Sequence, residues 1–219
     1  MSSRMKREHK MLQLMKKRLY PEKMKTLLEC SDFTDKLIKE NFEIKGGKWY
    51  VEDGWLVGEN RNCTADMIVT KDKFLGDILV EFDAATVLPA TRDINVTIHG
   101  SWDEEKNCRG VGYVFGLEGF WEGYVGLERS PDYNLLVLSD LLDFTPGEIY
   151  HITVGNIANT FFLFVDGRLA FQITDPHPYD VNEHGFVGFE AFCTRVKYKN
   201  LTVKRLVAEE DWKTYTPEF

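Results

Sequence analysis

Acidic and histidine side chains recur at alternating positions within short apolar segments of this 219-residue chain. In "VEFDAATV", Glu81 and Asp83 fall on one side of an extended segment, and the apolar residues fall mostly on the other. The same alternation in later segments places His99, Glu128 and Glu190 on the polar side. Carboxylates and imidazole can hold hydroxyl groups or transfer protons, so we predict His99, Glu128 and Glu190 as catalytic residues.

Aromatic side chains accompany these polar groups. Trp102 and Trp121 lie in adjoining loops, and Tyr124 shares the polar side of its segment with Glu128. Aromatic rings stack on the apolar faces of pyranose rings, which indicates a sugar site. The predicted substrate-binding residues are Glu81, Asp83, Trp102, Trp121 and Tyr124. The carboxylates and His99 have a plainer interpretation too, as parts of an ordinary solvated sheet surface.

The carboxylates also raise the question of a metal. Glu81, Asp83 and Glu128 could contribute oxygen ligands to a hard divalent cation. No loop matches a defined calcium motif, and no CxxC or histidine pair has the spacing of zinc ligands. The sequence therefore leaves a divalent metal open and does not identify its ligands.

From residue 42 onward the apolar pattern has a period of two, interrupted by turn residues. We predict about ten to thirteen short strands and no helix of useful length after residue 41. Dipeptides typical of hairpins separate several of them: Gly46-Gly47, Asp53-Gly54 and Asp166-Gly167. This spacing is typical of an all-β sandwich or barrel. We place the β-domain at residues 42–206, after an N-terminal extension (1–41) and before a C-terminal tail (207–219).

The N-terminal extension is basic. Residues 1–28 carry nine Lys and Arg and two Glu, which leaves the rest of the chain strongly acidic. Met5, Leu12, Met15 and Leu19 stand near helical spacing, so we predict a short amphipathic helix there. Such a helix could lie on the chain's own acidic domain or on a neighbouring subunit, which we favour, or dock to an anionic membrane or a nucleic acid.

Composition excludes several classes of function. A net charge of −8 argues against nucleic-acid binding, which depends on clustered Lys and Arg. No apolar stretch reaches the length of a membrane span or of a signal peptide's apolar region, so we predict a cytoplasmic protein. The four cysteines are widely spaced, and we predict free thiols at Cys30, Cys63, Cys108 and Cys193.

Four segments together resemble a known superfamily. These are, in chain order, "WYVEDGWL", "GDILVEFDA", "PGEIYHITVGNIANTFFLFVDGRLAF" and "HGFVGFEAFCTRVKYKNLTVKRL". Over residues 42–206 the chain resembles the concanavalin A-like lectin/glucanase superfamily. In character it is similar to the bacterial domains once called domain of unknown function 1080, now described as 3-keto-glycoside hydrolases or lyases. The resemblance implies a jelly-roll sandwich of two antiparallel sheets that acts on a sugar.

One glucanase branch of that superfamily uses the strand motif E-x-D-x-x-E. Here Glu81 and Asp83 match its first two carboxylates, but Thr86 stands at the third position. Retaining hydrolysis then lacks its proton donor, so we predict against an ordinary glucanase. A 3-keto-glycoside instead needs a base beside the carbonyl, and His99 or Glu190 could serve. The alternatives are a noncatalytic carbohydrate-binding protein and an accessory subunit that docks to an enzyme, or assembles with further copies, through its N-terminal helix.

Overall fold

The computed structural model describes residues 11–62, 64–120 and 123–211, and these residues form mainly β-strands. The one α-helix among them is α1 (Asp35–Asn41), and a 3-10 turn covers Pro21–Lys23. The strands are β1 (Leu12–Leu14), β2 (Lys17–Leu19), β3 (Thr26–Cys30), β4 (Phe42–Ile44), β5 (Lys48–Glu52), β6 (Trp55–Asn60), β7 (Asp66–Thr70), β8 (Ile78–Thr86), β9 (Ile94–Gly100), β10 (Trp102–Asp103), β11 (Cys108–Arg109), β12 (Gly112–Phe120), β13 (Tyr124–Ser130), β14 (Asn134–Ser139), β15 (Tyr150–Ile157), β16 (Thr160–Val165), β17 (Arg168–Thr174), β18 (Phe186–Ala191), β19 (Thr194–Arg205) and β20 (Ala208–Glu210). The all-β prediction is confirmed.

Two antiparallel sheets make up the sandwich. The seven-stranded sheet has the order β14-β13-β12-β9-β18-β7-β4, and the eight-stranded sheet has the order β17-β16-β15-β8-β19-β6-β5. Neighbours such as β9 and β18 are far apart in the sequence, so each sheet depends on contacts between distant segments. No helix in the described part of the chain is long and apolar enough to cross a membrane.

The main core lies between the sheets and is built from alternate residues of each strand. Phe82 on β8 meets Phe189 on β18, with ring centroids 5.1 Å apart in an edge-on arrangement. Tyr198 on β19 stacks on Phe189 at 3.9 Å and is fully buried. Since successive side chains point to opposite faces of a strand, the residues between these core positions point to the two outer faces of the sandwich.

The hairpin dipeptides have different fates. Asp53 and Asp166 have φ values of +51° and +50°, and the glycines that follow them have φ of +75°. They close the β5–β6 and β16–β17 hairpins, as predicted. Gly46-Gly47 does not close a hairpin, because β4 pairs with β7 and β5 pairs with β6, so this turn crosses from one sheet to the other.

The described part of the predicted N-terminal helix is a β-hairpin instead. Strands β1 and β2 pair through a turn in which Lys16 has φ of +63°. The period-two spacing of Leu12 and Leu14 lets both side chains bury on one face, together with Leu19. They cover Leu79 and other apolar side chains on the outer face of the eight-stranded sheet. Tertiary packing therefore decides against the helix, while residues 1–10, including Met5, lie outside the described residues.

The sandwich also extends beyond residues 42–206, where the sequence predicts its limits. Strand β3 pairs with β19, and Phe33 lies in the main core at 1 % exposure. Strand β20 pairs with β2 and so joins the end of the described chain to its beginning. Residues 11–41 of the extension and 207–211 of the tail thus belong to the same packed unit as the sandwich.

The cysteines are not all free. Cys30 is buried and unpaired, and Cys108 is also a free thiol, as predicted. Cys193 is disulfide-bonded, so the prediction of a free thiol is wrong there. Cys63 lies outside the described residues.

Candidate functional site

A cavity of about 440 Å³ lies on the outer face of the seven-stranded sheet. Glu128 and Glu190 reach it because Leu127 and Phe189, their neighbours in sequence, point into the core. The sequence-predicted alternation is correct for both glutamates, which the structure brings together. The cavity is lined by Ala65, Asp93, Asn95, Arg109, Val114, Gly119, Glu128, Tyr133, Leu135, Glu190 and Phe192.

Arg109 joins the two glutamates. Its guanidinium donates to Glu128 Oε1 at 2.9 Å, to Glu190 Oε2, and through Nε to Ser130 Oγ at 2.9 Å. Only 4 % of its side chain is exposed. The arginine comes from the short β10–β11 ribbon, in which Trp102 pairs with it. The ribbon lies over the seven-stranded sheet and supplies the Arg109 guanidinium to the cavity.

Asp93 and Asn95 form the second polar group of the cavity. Asn95 Nδ2 donates to Asp93 Oδ1 at 2.7 Å, and both residues are buried. Gly119 lies against them, because a Cβ built on this residue would overlap the Asp93 carboxylate. Asn95 Oδ1 has no hydrogen-bond partner among the described residues. A buried amide oxygen without a donor is costly, so this atom is available to a ligand.

Burial and mutual repulsion shift the acids toward their neutral forms. Burial raises the pKa of Asp93 to about 7, and the nearby Glu190 charge adds to that effect. Burial also raises the pKa of Glu128 and of Glu190, although the Arg109 charge opposes both shifts. Three carboxyl groups therefore surround one guanidinium, and at least one of them exchanges its proton near neutral pH.

Apolar side chains complete the wall of the cavity. Tyr133 is 63 % exposed and Leu135 is 40 % exposed, although both line the cavity. The Arg109 guanidinium lies over the Tyr133 ring, 5.4 Å from its centroid. An exposed ring beside buried acceptors offers one apolar and one polar surface to the same ligand.

His99 does not belong to this cavity. It has φ of +49°, at a point where the β9–β18 pairing shifts its register. This bulge breaks the strict alternation and turns the imidazole toward the facing sheet. There Nε2 lies 2.8 Å from Oδ1 of Asn156, on β15, and burial lowers the pKa of His99. The prediction that His99 shares a site with Glu128 and Glu190 is wrong for this reason.

Glu81 and Asp83 lie on the opposite side of the molecule. They belong to β8 in the eight-stranded sheet, and the two sheets bury their inner faces against each other, so their outer faces point in opposite directions. Lys204 Nζ lies 2.6 Å from Glu81 Oε2, and His151 Nδ1 lies 2.7 Å from Asp83 Oδ1. These acids are bound to partners of their own sheet, and the structure does not bring them together with Glu128.

These acids stabilise the protonated form of His151. Burial alone would lower its pKa, but the Asp83 and Glu81 carboxylates outweigh that effect and raise it to about 9. Conversely, burial would raise the pKa of Asp83 and of Glu81, but hydrogen bonding to His151 contributes to lowering both. The cluster is a satisfied ionic network on a strand surface.

Two of the predicted aromatic residues, Trp102 and Tyr124, do not line the cavity. Trp102 packs against an apolar cluster of Met67, Val69 and Phe186, which covers part of the outer face of the seven-stranded sheet. Tyr124 is 38 % exposed near the start of β13, and it does not line the cavity. Trp121 lies outside the described residues.

The sequence did not identify Arg109, Asp93, Asn95 or Tyr133 as site residues. Asn95 could have been found, because it lies on the predicted polar side of its strand. Arg109 and Tyr133 stand in turn-rich segments without periodic pattern, and only the folded chain brings them to the sheet. No three carboxylate, histidine or cysteine side chains of the described residues lie close enough to hold a metal ion.

Several solved structures share this fold. A carbohydrate binding module of type CBM66 from Bacillus subtilis has a TM-score of 0.61 at 14 % identity, over 75 % of this chain and 95 % of that one. A protein of unknown function with a galectin-like fold, also from Bacillus subtilis, has a TM-score of 0.65 at 14 % identity, over 84 % and 97 % of the two chains. A provisionally assigned glycosyl hydrolase from Parabacteroides distasonis has a TM-score of 0.57 at 16 % identity, over 82 % and 100 %.

The likeness concerns the fold, since the identities are low. The chain has a lectin-like jelly roll, as the resemblance implied. No protein-family model and no curated protein matches the sequence.

Proposed function

We propose that this protein binds a carbohydrate in the cavity on the outer face of the seven-stranded sheet. The observation that carries the proposal is the meeting of buried carboxylates, one guanidinium and an exposed ring in a cavity of about 440 Å³. Sites for small ligands combine apolar walls with a few well-placed polar groups. The similar structures include a carbohydrate binding module and a provisionally assigned glycosyl hydrolase, which supports the same class of ligand.

The chemistry of the lining fits a sugar. Hydroxyl groups can donate to Glu128 and to Asn95 Oδ1, and the apolar face of the ring can lie against Tyr133 and Leu135. This arrangement accounts for an aromatic side chain that stays exposed above buried acids.

Isothermal titration calorimetry with monosaccharides and short oligosaccharides tests the proposal. The variants Tyr133→Ala and Glu128→Gln are expected to weaken binding about tenfold or more, since the first removes the ring and the second replaces a charged acceptor by a neutral amide. The matched control is Tyr20→Ala, because Tyr20 does not line the cavity. Saturable binding that both cavity variants leave unchanged would place the sugar elsewhere and refute this site.

A second candidate is an enzyme that acts on 3-keto-glycosides, as a hydrolase or lyase. The observation that favours it is Asp93, whose pKa of about 7 suits a general base at neutral pH, beside the Arg109 cation. Asp93 would remove the proton next to the carbonyl, and Arg109 would hold the enolate oxygen.

Turnover of a 3-keto-glucoside distinguishes the two candidates. An enzyme would convert it with a rate that rises through about pH 7, where Asp93 loses its proton, and Asp93→Asn would abolish the conversion. Binding of the same compound without conversion would leave the noncatalytic function.

The cytoplasmic location and a partner or further copy bound through the N-terminal segment stay proposals. The apolar side chains of β1 and β2 are already covered by this chain's own sheet. A partner would therefore have to contact the basic side chains that this segment leaves exposed.

A further inference from the structure

The cavity holds three carboxyl groups against one guanidinium, so it carries a net negative charge when all three acids are ionised. Asp93, Glu128 and Glu190 line it with a single arginine. Arg109 donates to Glu128 and Glu190, and among the described residues it forms no hydrogen bond with Asp93. Among the bonds of the described residues, Asp93 receives its side-chain hydrogen bond from the neutral amide of Asn95.

An unpartnered acceptor lies beside the unneutralised acid. Asn95 is 5 % exposed, and its Nδ2 is engaged by Asp93, so the amide presents Oδ1 toward Gly119 and the cavity. This oxygen has no donor among the described residues. An acid and a free acceptor side by side favour a ligand group that donates hydrogen bonds and carries positive charge.

We propose that the preferred ligand is an amino sugar with a free, protonated amino group, which lies between Asp93 and Asn95 Oδ1. The inference rests on the proposed function, and it names the class of sugar. An ammonium has three donors and no acceptor, which matches this corner of the cavity. A hydroxyl group would supply a donor but would leave the charge of Asp93 uncompensated. An N-acetyl group is uncharged and larger than an ammonium group.

The same geometry predicts that ligand binding is coupled to the release of a proton. The charges that face Asp93 are Glu190 on β18, Glu128 on β13 and Arg109 on β11, and its other neighbour is the neutral Asn95 on β9. Burial, with the two glutamates, raises the pKa of Asp93 to about 7. A bound ammonium opposes this shift, so binding below pH 7 should release a proton to the buffer.

Calorimetry on the full chain tests the inference with three matched probes: glucosamine, N-acetylglucosamine and glucose, each as the monosaccharide and as the β-1,4-linked trisaccharide. At pH 7 the amino sugar is expected to bind about tenfold or more tightly than the other two. At pH 9.5, where the amine is uncharged, this preference should disappear. Titrations at pH 6 in two buffers of different ionisation enthalpy should show the released proton.

Two variants locate the preference. Asp93→Asn should bind all three probes with similar affinity, because Asn tolerates the backbone φ of +79° but carries no charge. Glu128→Gln should reduce the preference without abolishing it. The control is Asp140→Asn, an exposed acid that does not line the cavity and should keep the full preference.

The possible outcomes separate this inference from the proposed function. Equal or weaker binding of the amino sugar, with neutral sugars bound in the cavity, would overturn the inference and leave the function in place. A preference that persists in Asp93→Asn would also overturn it. If none of these sugars or other oligosaccharides bind, both the function and the inference fall.

Discussion

Arg109 is the residue on which the shape and charge of the cavity depend. Its guanidinium bonds to Ser130, Glu128 and Glu190, and almost none of its side chain reaches solvent. A lysine could not bond to three partners in these directions, since its ammonium lacks the planar fork of donors. The arginine therefore holds the β10–β11 ribbon on the sheet and keeps two acids in place.

Replacement of this arginine should be strongly destabilising. In Arg109→Met the buried Glu190 and Glu128 lose their counter-charge, and we expect a loss of about 3–5 kcal/mol in the free energy of unfolding at pH 8. The loss should be smaller at pH 5, where the glutamates can take up protons. Urea denaturation measures both values.

Arg61→Met is the matched control, because 90 % of the Arg61 side chain is exposed. Its free energy of unfolding should stay within about 0.5 kcal/mol of that of the original chain. Equal stability of Arg109→Met and the original chain at pH 8 would show that the ionic network does not stabilise the fold.

Asp93 should make stability depend on pH. Its pKa is about 7 in the folded protein, against an ordinary value of 3.8. Between these two values the folded state holds a proton that the unfolded chain has lost. The free energy of unfolding should therefore fall as pH rises from about 4 to 7, by at most about 1.4 kcal/mol per pH unit.

Comparison with Asp93→Asn isolates this contribution. In the variant, the free energy of unfolding should no longer fall because of Asp93. The difference between the variant's free energy of unfolding and that of the original chain should therefore increase from pH 4.5 to pH 7.5. Urea denaturation at one-unit steps measures the difference, and Asp140→Asn should follow the original chain. Parallel curves for Asp93→Asn and the original chain would contradict the raised pKa.

At the scale of elements, the β10–β11 ribbon and the N-terminal hairpin β1–β2 each cover one outer face of the sandwich. The ribbon places Trp102 on an apolar cluster and Arg109 in the cavity of the seven-stranded sheet. The hairpin buries its leucines on the other sheet. Apolar residues on an outer face need such a cover, since an exposed apolar patch favours association.

The hairpin should contribute strongly to stability through its buried side. Leu19 is fully buried against the eight-stranded sheet, and we expect Leu19→Ala to lower the free energy of unfolding by about 2–4 kcal/mol. Met15 lies in the same hairpin but is 73 % exposed, so Met15→Ala should change the free energy of unfolding by less than about 0.5 kcal/mol. Thermal and urea unfolding measure both. Similar effects of the two substitutions would mean that the hairpin does not pack as described.

At the scale of the whole molecule, the chain folds as one interleaved unit. Strand β3 from the N-terminal region joins β19, and β20 near the C-terminus of the described chain joins β2. Cys30 and Phe33 add buried side chains to the main core. Residues 11–41 are therefore not a separable extension.

Truncation tests this unity. A fragment of residues 42–206 loses β3, Phe33 and the hairpin cover, so we expect it to bind a hydrophobic dye and to show no cooperative thermal transition. A fragment of residues 11–211 keeps every described element and should unfold near the temperature of the full chain. Cooperative unfolding of the shorter fragment at that same temperature would contradict the interleaved fold.

The disulfide of Cys193 is a further property of the whole molecule. Disulfides persist mainly in oxidising compartments, whereas the composition predicts a cytoplasmic protein. The location stays a prediction, and thiol labelling of the intact chain would show whether Cys193 is oxidised under native conditions.

The sequence by itself determined most of the strands after residue 42 and, apart from His99, which of the predicted residues on them face the core. Alternation of apolar and polar residues is a local property, so it correctly placed Glu128 and Glu190 on an outer face. Asp-Gly dipeptides likewise predicted two hairpins, because Asp and Gly accept the positive φ values that a two-residue turn needs.

Only the tertiary structure decided which polar groups meet. Alternation does not tell the two outer faces apart, so Glu81 and Asp83 were grouped with glutamates that lie on the other sheet. A single bulge turned the His99 side chain toward the facing sheet. Packing on the eight-stranded sheet made the described N-terminal segment a hairpin. Arg109 reaches the cavity from a ribbon that pairs with neither large sheet, and its partners Glu128 and Glu190 are distant from it in the sequence.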